Sequence, residues 1–169
     1  MTATRQKAKA AQRVRSAATR AERLVPASGQ VDDLTHAVSA DRGRPIQLLA
    51  EDLGPREPSG LWIATGQSDW IVVPNGIGAA QRTAIICHEL AHILLGHVPL
   101  GANSDLDALA GLVAPNVDPT VATRILARFS YADDLEAEAE ALGTMLVTKL
   151  AHRAESLRMK HDAVSDRLR

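Results

Sequence analysis

The stretch DWIVVPNGIGAAQRTAIICHELAHILLGH (69–97) runs from a short apolar β-type segment, through Pro74 and an NGIG turn, into a helical pattern. That pattern carries three histidines and one glutamate in an otherwise apolar run. A helix that only filled a core would need none of these four groups. Residues four apart on a helix stand one above the other, so His88 and His92 present their imidazoles to the same side. Glu89 lies about 100° around the axis from His88 and about 50–60° from His92. Its carboxylate therefore reaches a water beside the two imidazoles without taking a ligand position. H-E-x-x-H on a helix is the zinc-hydrolase arrangement, two histidine ligands beside a general base. It predicts one bound Zn2+, with His88 and His92 as ligands and Glu89 as base.

Working outward, PIQLLAE (45–51) and GLWIAT (60–65) are further strand-like runs, set apart by the turn residues DLGPREPSG and GQS. That spacing predicts hairpins, hence a small, mostly antiparallel, three-stranded sheet. Helices are expected over Asp32 to Ala40 and from about Ala79 to Gly96. Downstream, SDLDALAGLV and DPTVATRILARF open with helix-start residues. Ser130 to Lys160 reads as one long helix, acidic at its start and basic towards its end, as the helix dipole favours. The fold class is α+β: a small sheet packed with helices, with HExxH on an active-site helix of zincin-like type.

The chain has 169 residues, 46% of them hydrophobic, enough for one domain with its own core. Only Trp62, Trp70, Phe129 and Tyr131 are aromatic, which argues against a base-stacking nucleic-acid binder. The single cysteine, Cys87, rules out an internal disulfide and suits a reducing cytoplasm. The N-terminus lacks the apolar stretch of a secretory signal, and no run of 18 apolar residues predicts a membrane span. Residues 1–30 form a basic helix or arm, with Arg5, Lys7, Lys9, Arg13, Arg15, Arg20 and Arg23 against the single acid Glu22. Such charge runs usually serve solvation, and no recognition-helix motif accompanies this one, so it is not read as a DNA-binding element. Residues 31–155 form the catalytic domain, and 156–169 a charged helix end or tail.

A catalytic zinc needs a third protein ligand and an open position. On a continuing helix His97 would point about 140° away from His92, so it is assigned to the helix C-terminus. The last helix offers Glu136, Glu138 and Glu140 beside the apolar stripe Leu135, Ala139, Leu142, Leu146, Leu150. Glu138 falls on the inward arc, whereas Glu136 and Glu140 turn to the edge or to water. An inward carboxylate is costly unless paired, which makes Glu138 the expected third ligand. Tyr131 is the expected donor to a developing oxyanion, with His152 as an alternative. Trp70, Ile71, Val72 and Val73 are expected to form an edge strand onto which an extended substrate adds. Cys87 faces another side of the helix and is read as a small core residue.

With HELAH at 88–92, EAEALGTMLV at 138–147 and the strand pattern GLWIATGQSDWIVVP, the chain resembles the ImmA/IrrE family of bacterial zinc metallopeptidases, over roughly residues 31 to 150. The resemblance places Glu138 at the family's metal-ligand position. It also implies a cytoplasmic zinc endopeptidase whose substrate is a helix-turn-helix repressor or an antitoxin-like DNA-binding protein. VTKL stands where the family often closes a leucine-rich turn with proline, and the segment between His92 and Glu138 is longer than in compact members. The alternative is a metal-stabilised module that captures such a repressor without cutting it. The intact Glu89 speaks against that, because a pure binder has no need of a general base.

Overall fold

The computed structural model describes residues 2–52, 59–64, 67–98 and 131–167. Along the chain come α1 (Thr2–Leu24), α2 (Val31–Arg42), β1 (Ile46–Glu51), β2 (Leu61–Ala64), β3 (Asp69–Pro74), α3 (Ala79–Leu95) and α4 (Asp133–Arg167). The expected strands, the motif helix and the long last helix are all present. The helices expected at SDLDALAGLV and DPTVATRILARF lie outside the described residues.

The sheet is mixed rather than mostly antiparallel. Its order is β1-β3-β2, with β2 antiparallel to β3 (Leu61 opposite Val72) and β1 parallel to it (Ile46 opposite Asp69). The hairpin expectation holds for β2–β3 and fails for β1–β2. Ile71, Val72 and Val73 of β3 are consecutive and all buried, as are Leu61, Trp62 and Ile63 of β2, the pattern of strands covered on both faces. β3 holds the centre, with β1 and β2 as the edges; turn residues mark where strands end and leave the partner open.

Asp69, fully buried at the start of β3, ties the sheet to α2. Its carboxylate accepts from Trp62 Nε1 at 3.1 Å and from Arg42 Nε at 2.7 Å, and Arg44 Nε lies 3.5 Å away. The Arg42 guanidinium also sits over the Trp62 ring, 5.6 Å from its centroid. A buried carboxylate is tolerable on these terms, because it is both paired and hydrogen-bonded.

Helix α3 carries Ile86, Leu90, Ala91 and Leu94 into the core and packs on both the sheet and α4. Helix α4 contributes Ala139, Leu142, Leu146 and Leu150. The close approach of these two helices depends on Gly143: a Cβ there would stand 3.2 Å from His88 Cα and 3.3 Å from His88 N. Helix α1 packs as well. Ala17 and Ala21 are buried, and the helix runs alongside α4 in the same direction, with Arg13 on Glu138 and Glu22 on Lys149. Its basic residues are borne on a packed helix, whose apolar positions Val14, Ala17, Ala21 and Leu24 recur at helical spacing. No helix among the described residues is long and apolar enough to cross a membrane.

Candidate metal centre

His88 and His92, one turn apart on α3, point their Nε2 atoms at the same spot, 3.1 Å from each other. The carboxylate that joins them is Glu136, from the first turns of α4. Its Oε2 lies 3.2 Å from His88 Nε2 and 3.7 Å from His92 Nε2. Among the described residues these three form the group able to hold a metal ion. Their spacing can be tested against a tetrahedral site. Donors each about 2.0–2.1 Å from one ion, at tetrahedral angles, stand about 3.3–3.4 Å apart. The three observed separations bracket that value, and two imidazole nitrogens with one carboxylate oxygen are the donor set of many catalytic zinc sites.

Glu138 is not in this group, which corrects the third-ligand expectation. It is buried, as its place on the helix predicts, but it faces α1 rather than α3. Its carboxylate is clamped by Arg13, with Nε on Oε2 at 2.8 Å and Nη2 on Oε1 at 2.6 Å. Those bonds hold its pKa below the usual carboxylate range, against burial. Glu140 stays at the edge, its Oε2 3.6 Å from His88 Nδ1.

His97 stands at the helix C-terminus, as expected, and outside the metal group, but its ring points inward. Gly96 takes a left-handed conformation (φ 70°) and ends α3, with its N–H on Ile93 O and the His97 N–H on His92 O. This Schellman turn folds the chain back, so that His97 lies against the inner side of His92 instead of pointing away. Its Nδ1 is 3.0 Å from His92 Nδ1, and its Nε2 is 3.4 Å from Glu138 Oε2. The sequence signal for this return is Gly96, a glycine at a helix C-terminus.

Around the three donors lies a cleft of about 210 Å³, bounded by Gly60 and Leu61 at the start of β2 and by Glu89 and Tyr131. Glu89 is nearly buried, and that burial, with the charge of Glu136 beside it, pushes its pKa up to about 8, the Trp62 backbone N–H pulling the other way. His92 is driven down to about 3 by burial and by its histidine neighbours, so it is a neutral base. Tyr131 stacks on the His92 ring, with centroids 3.7 Å apart and planes 19° from parallel. Its hydroxyl is buried with no hydrogen-bond partner among the described residues, and burial, with Glu89 and Glu136 nearby, raises its pKa.

Three further expectations can be placed. Trp70, Ile71, Val72 and Val73 are in the central strand, the first three paired on both sides and Val73 with β1, so they do not form the edge expected to take a substrate. The edge that borders the cleft is β2, and no strand pairs with its outer side among the described residues. Cys87 is fully buried in the core, where desolvation raises its thiol to about 12. His152 is exposed on the second half of α4. The fold and cluster together define a small α+β protein with a His–His–Glu group on two packed helices. No protein-family model, no curated protein and no solved structure matches the chain.

Proposed function

We propose that the protein is a zinc-dependent endopeptidase in which His88, His92 and Glu136 hold the ion and Glu89 is the general base. The observation that carries this reading is the convergence of His88 Nε2, His92 Nε2 and Glu136 Oε2 within 3.1–3.7 Å, beside a nearly buried fourth group, Glu89. Zinc bound there would supply Lewis acidity, bringing the pKa of a water to about 7.

The chain's own residues do the rest. Glu89 takes a proton from the attacking water and delivers it to the leaving amine. A cation held by His88, His92 and Glu136 would favour the ionised carboxylate of Glu89, the form that accepts a proton. Tyr131, whose O–H has no partner among the described residues, offers it to the substrate carbonyl oxygen as negative charge develops there. The outer edge of β2, beginning at Leu61, accepts an extended peptide through main-chain hydrogen bonds. The resemblance of HELAH and of the α4 segment to the ImmA/IrrE family supplies the substrate class, a helix-turn-helix repressor or antitoxin-like protein in the cytoplasm.

The test is a substrate trap. Tagged wild type and Glu89→Gln are expressed side by side in a bacterial host, zinc content is measured, and co-purified proteins and new N-termini are identified by mass spectrometry. Both forms should carry about one zinc. A DNA-binding protein should be retained by the variant and cut only with the wild type. The same partner retained by both and cut by neither would favour the non-cleaving binding module.

A further inference from the structure

We propose that Arg13, Glu138 and His97 are positioning residues, a hydrogen-bonded relay that fixes His92 in the tautomer whose Nε2 lone pair faces His88 and Glu136. The inference deepens the metal-site reading and rests on it for its functional meaning, but the tautomer itself is a property of the metal-free chain.

The assignment runs inward from the surface. Arg13 carries donors only, and it occupies both oxygens of Glu138, at 2.8 and 2.6 Å. The carboxylate so clamped is ionised and can only accept. His97 Nε2, 3.4 Å from Glu138 Oε2, must therefore carry a proton. His97 is buried, and the Glu138 carboxylate beside it is already matched by the Arg13 guanidinium, so a second cation there would be unpaired; the imidazole is neutral, with one donor and one acceptor. Its Nδ1 is then the acceptor. Facing it at 3.0 Å is His92 Nδ1, which must be N–H. That leaves His92 Nε2 as a lone pair, 3.1 Å from His88 Nε2 and 3.7 Å from Glu136 Oε2. Each link leaves one choice for the next. Tyr131, stacked on the face of the same ring, holds its plane.

A metal-binding histidine typically donates its other N–H to an outer partner, which sets ring orientation and raises basicity. Here that partner is a second histidine, polarised by the Glu138 carboxylate that Arg13 of α1 holds in place. The basic N-terminal helix thus contributes a residue to the support of the site, through Arg13, although it lies outside the segment in which the sequence places the catalytic domain.

Glu138→Gln tests the relay with little change of shape. Arg13 would claim the amide oxygen, turning the NH2 towards His97 Nε2. His97 would then accept there and donate from Nδ1, and His92 would have to accept at Nδ1 and carry its proton on Nε2. Two measurements follow. In chelator-treated, 15N-labelled protein, long-range 1H–15N spectra of the imidazoles should show His92 with its proton on Nδ1 in the wild type and on Nε2 in the variant. Competition of Zn2+ with a chelating dye should show binding weakened about 10–100-fold. At saturation with Co2+ the visible spectrum should match the wild type, because the ligand set is intact. His97→Phe, which keeps a ring but has no acceptor, should weaken Zn2+ binding in the same range and serves if Glu138→Gln does not fold.

Unchanged tautomer and affinity in the variants would overturn the relay while leaving the metal site standing. A changed Co2+ spectrum in Glu138→Gln would make Glu138 a ligand and overturn it too. A wild type that binds no zinc yet shows His92 protonated on Nδ1 would uphold the relay and refute the metallopeptidase reading.

Discussion

Gly60→Ala is the sharpest test of how the cleft is built. Gly60 does not occupy the left-handed region, so backbone conformation does not demand glycine there; space does. A Cβ at this position would stand 2.2 Å from Ile85 Cγ2 and 3.2 Å from Glu89 Oε1. Ordinary carbon–carbon contact is about 3.5–4.0 Å, so more than about 1 Å must open. Ile85 is β-branched and sits in α3, where one χ1 rotamer is strongly preferred, and it cannot swing aside. The strain falls on the start of β2 and on the Glu89 carboxylate. Overpacking of this kind costs about 1–3 kcal/mol, a fall in Tm of about 2–12 °C for a chain of this size. Zinc affinity should hold, because none of the three donors is touched. Hydrolysis should fall by up to about 100-fold, as expected for a misplacement near 1 Å. A double-mutant cycle isolates the cause. Ile85→Ala alone should cost about 2–5 kcal/mol through the cavity it leaves. Combined with Gly60→Ala, it should cost about 1–2 kcal/mol less than the sum of the two. Urea titrations followed by circular dichroism supply the free energies. Strict additivity would show that Gly60 and Ile85 do not contend for the same space, and the reasoning would fail.

Two further predictions concern single groups. Tyr131→Phe removes a buried hydroxyl that has no partner among the described residues, so it should leave stability equal or raise it by up to about 1 kcal/mol, keep zinc, and still slow peptide hydrolysis. Equal hydrolysis rates would take the phenol out of the mechanism. Asp69→Ala strands Trp62 Nε1 and two arginines at the β3–α2 junction. It should cost about 3 kcal/mol, the lower end for a broken buried pair, because both arginine side chains keep some contact with water. A loss below about 1 kcal/mol by thermal or urea denaturation would mean that the junction is incidental.

Much of the architecture was legible from local pattern. HELAH lies on a helix directly after a strand, and the long last helix is where its apolar stripe predicts. Periodicity reports which side of an element is buried, and these elements are amphipathic or wholly apolar. Sheet order was less accessible, since turn residues mark where strands end but not which strand they pair with. The apolar runs Ile71-Val72-Val73 and Leu61-Trp62-Ile63 signal cover on both faces, but one strand is central and the other an edge, so they do not fix the order.

The third donor shows where sequence stops. About the mean direction of the stripe Leu135, Ala139, Leu142, Leu146, Leu150, Glu136 lies about 80° to one side and Glu138 about 80° to the other. A helical wheel treats them as equivalent flanks. Only the packing of α4, with α3 along one flank and α1 along the other, sends Glu136 to the histidines and Glu138 to Arg13. His97 makes the same point at shorter range, since the left-handed turn at Gly96 returns it to His92. The sequence by itself determined which residues are buried and which chemistry they bring, because burial follows one element's own period. Which buried group meets which was decided only by the tertiary structure, because a helix has two flanks and its neighbours choose between them.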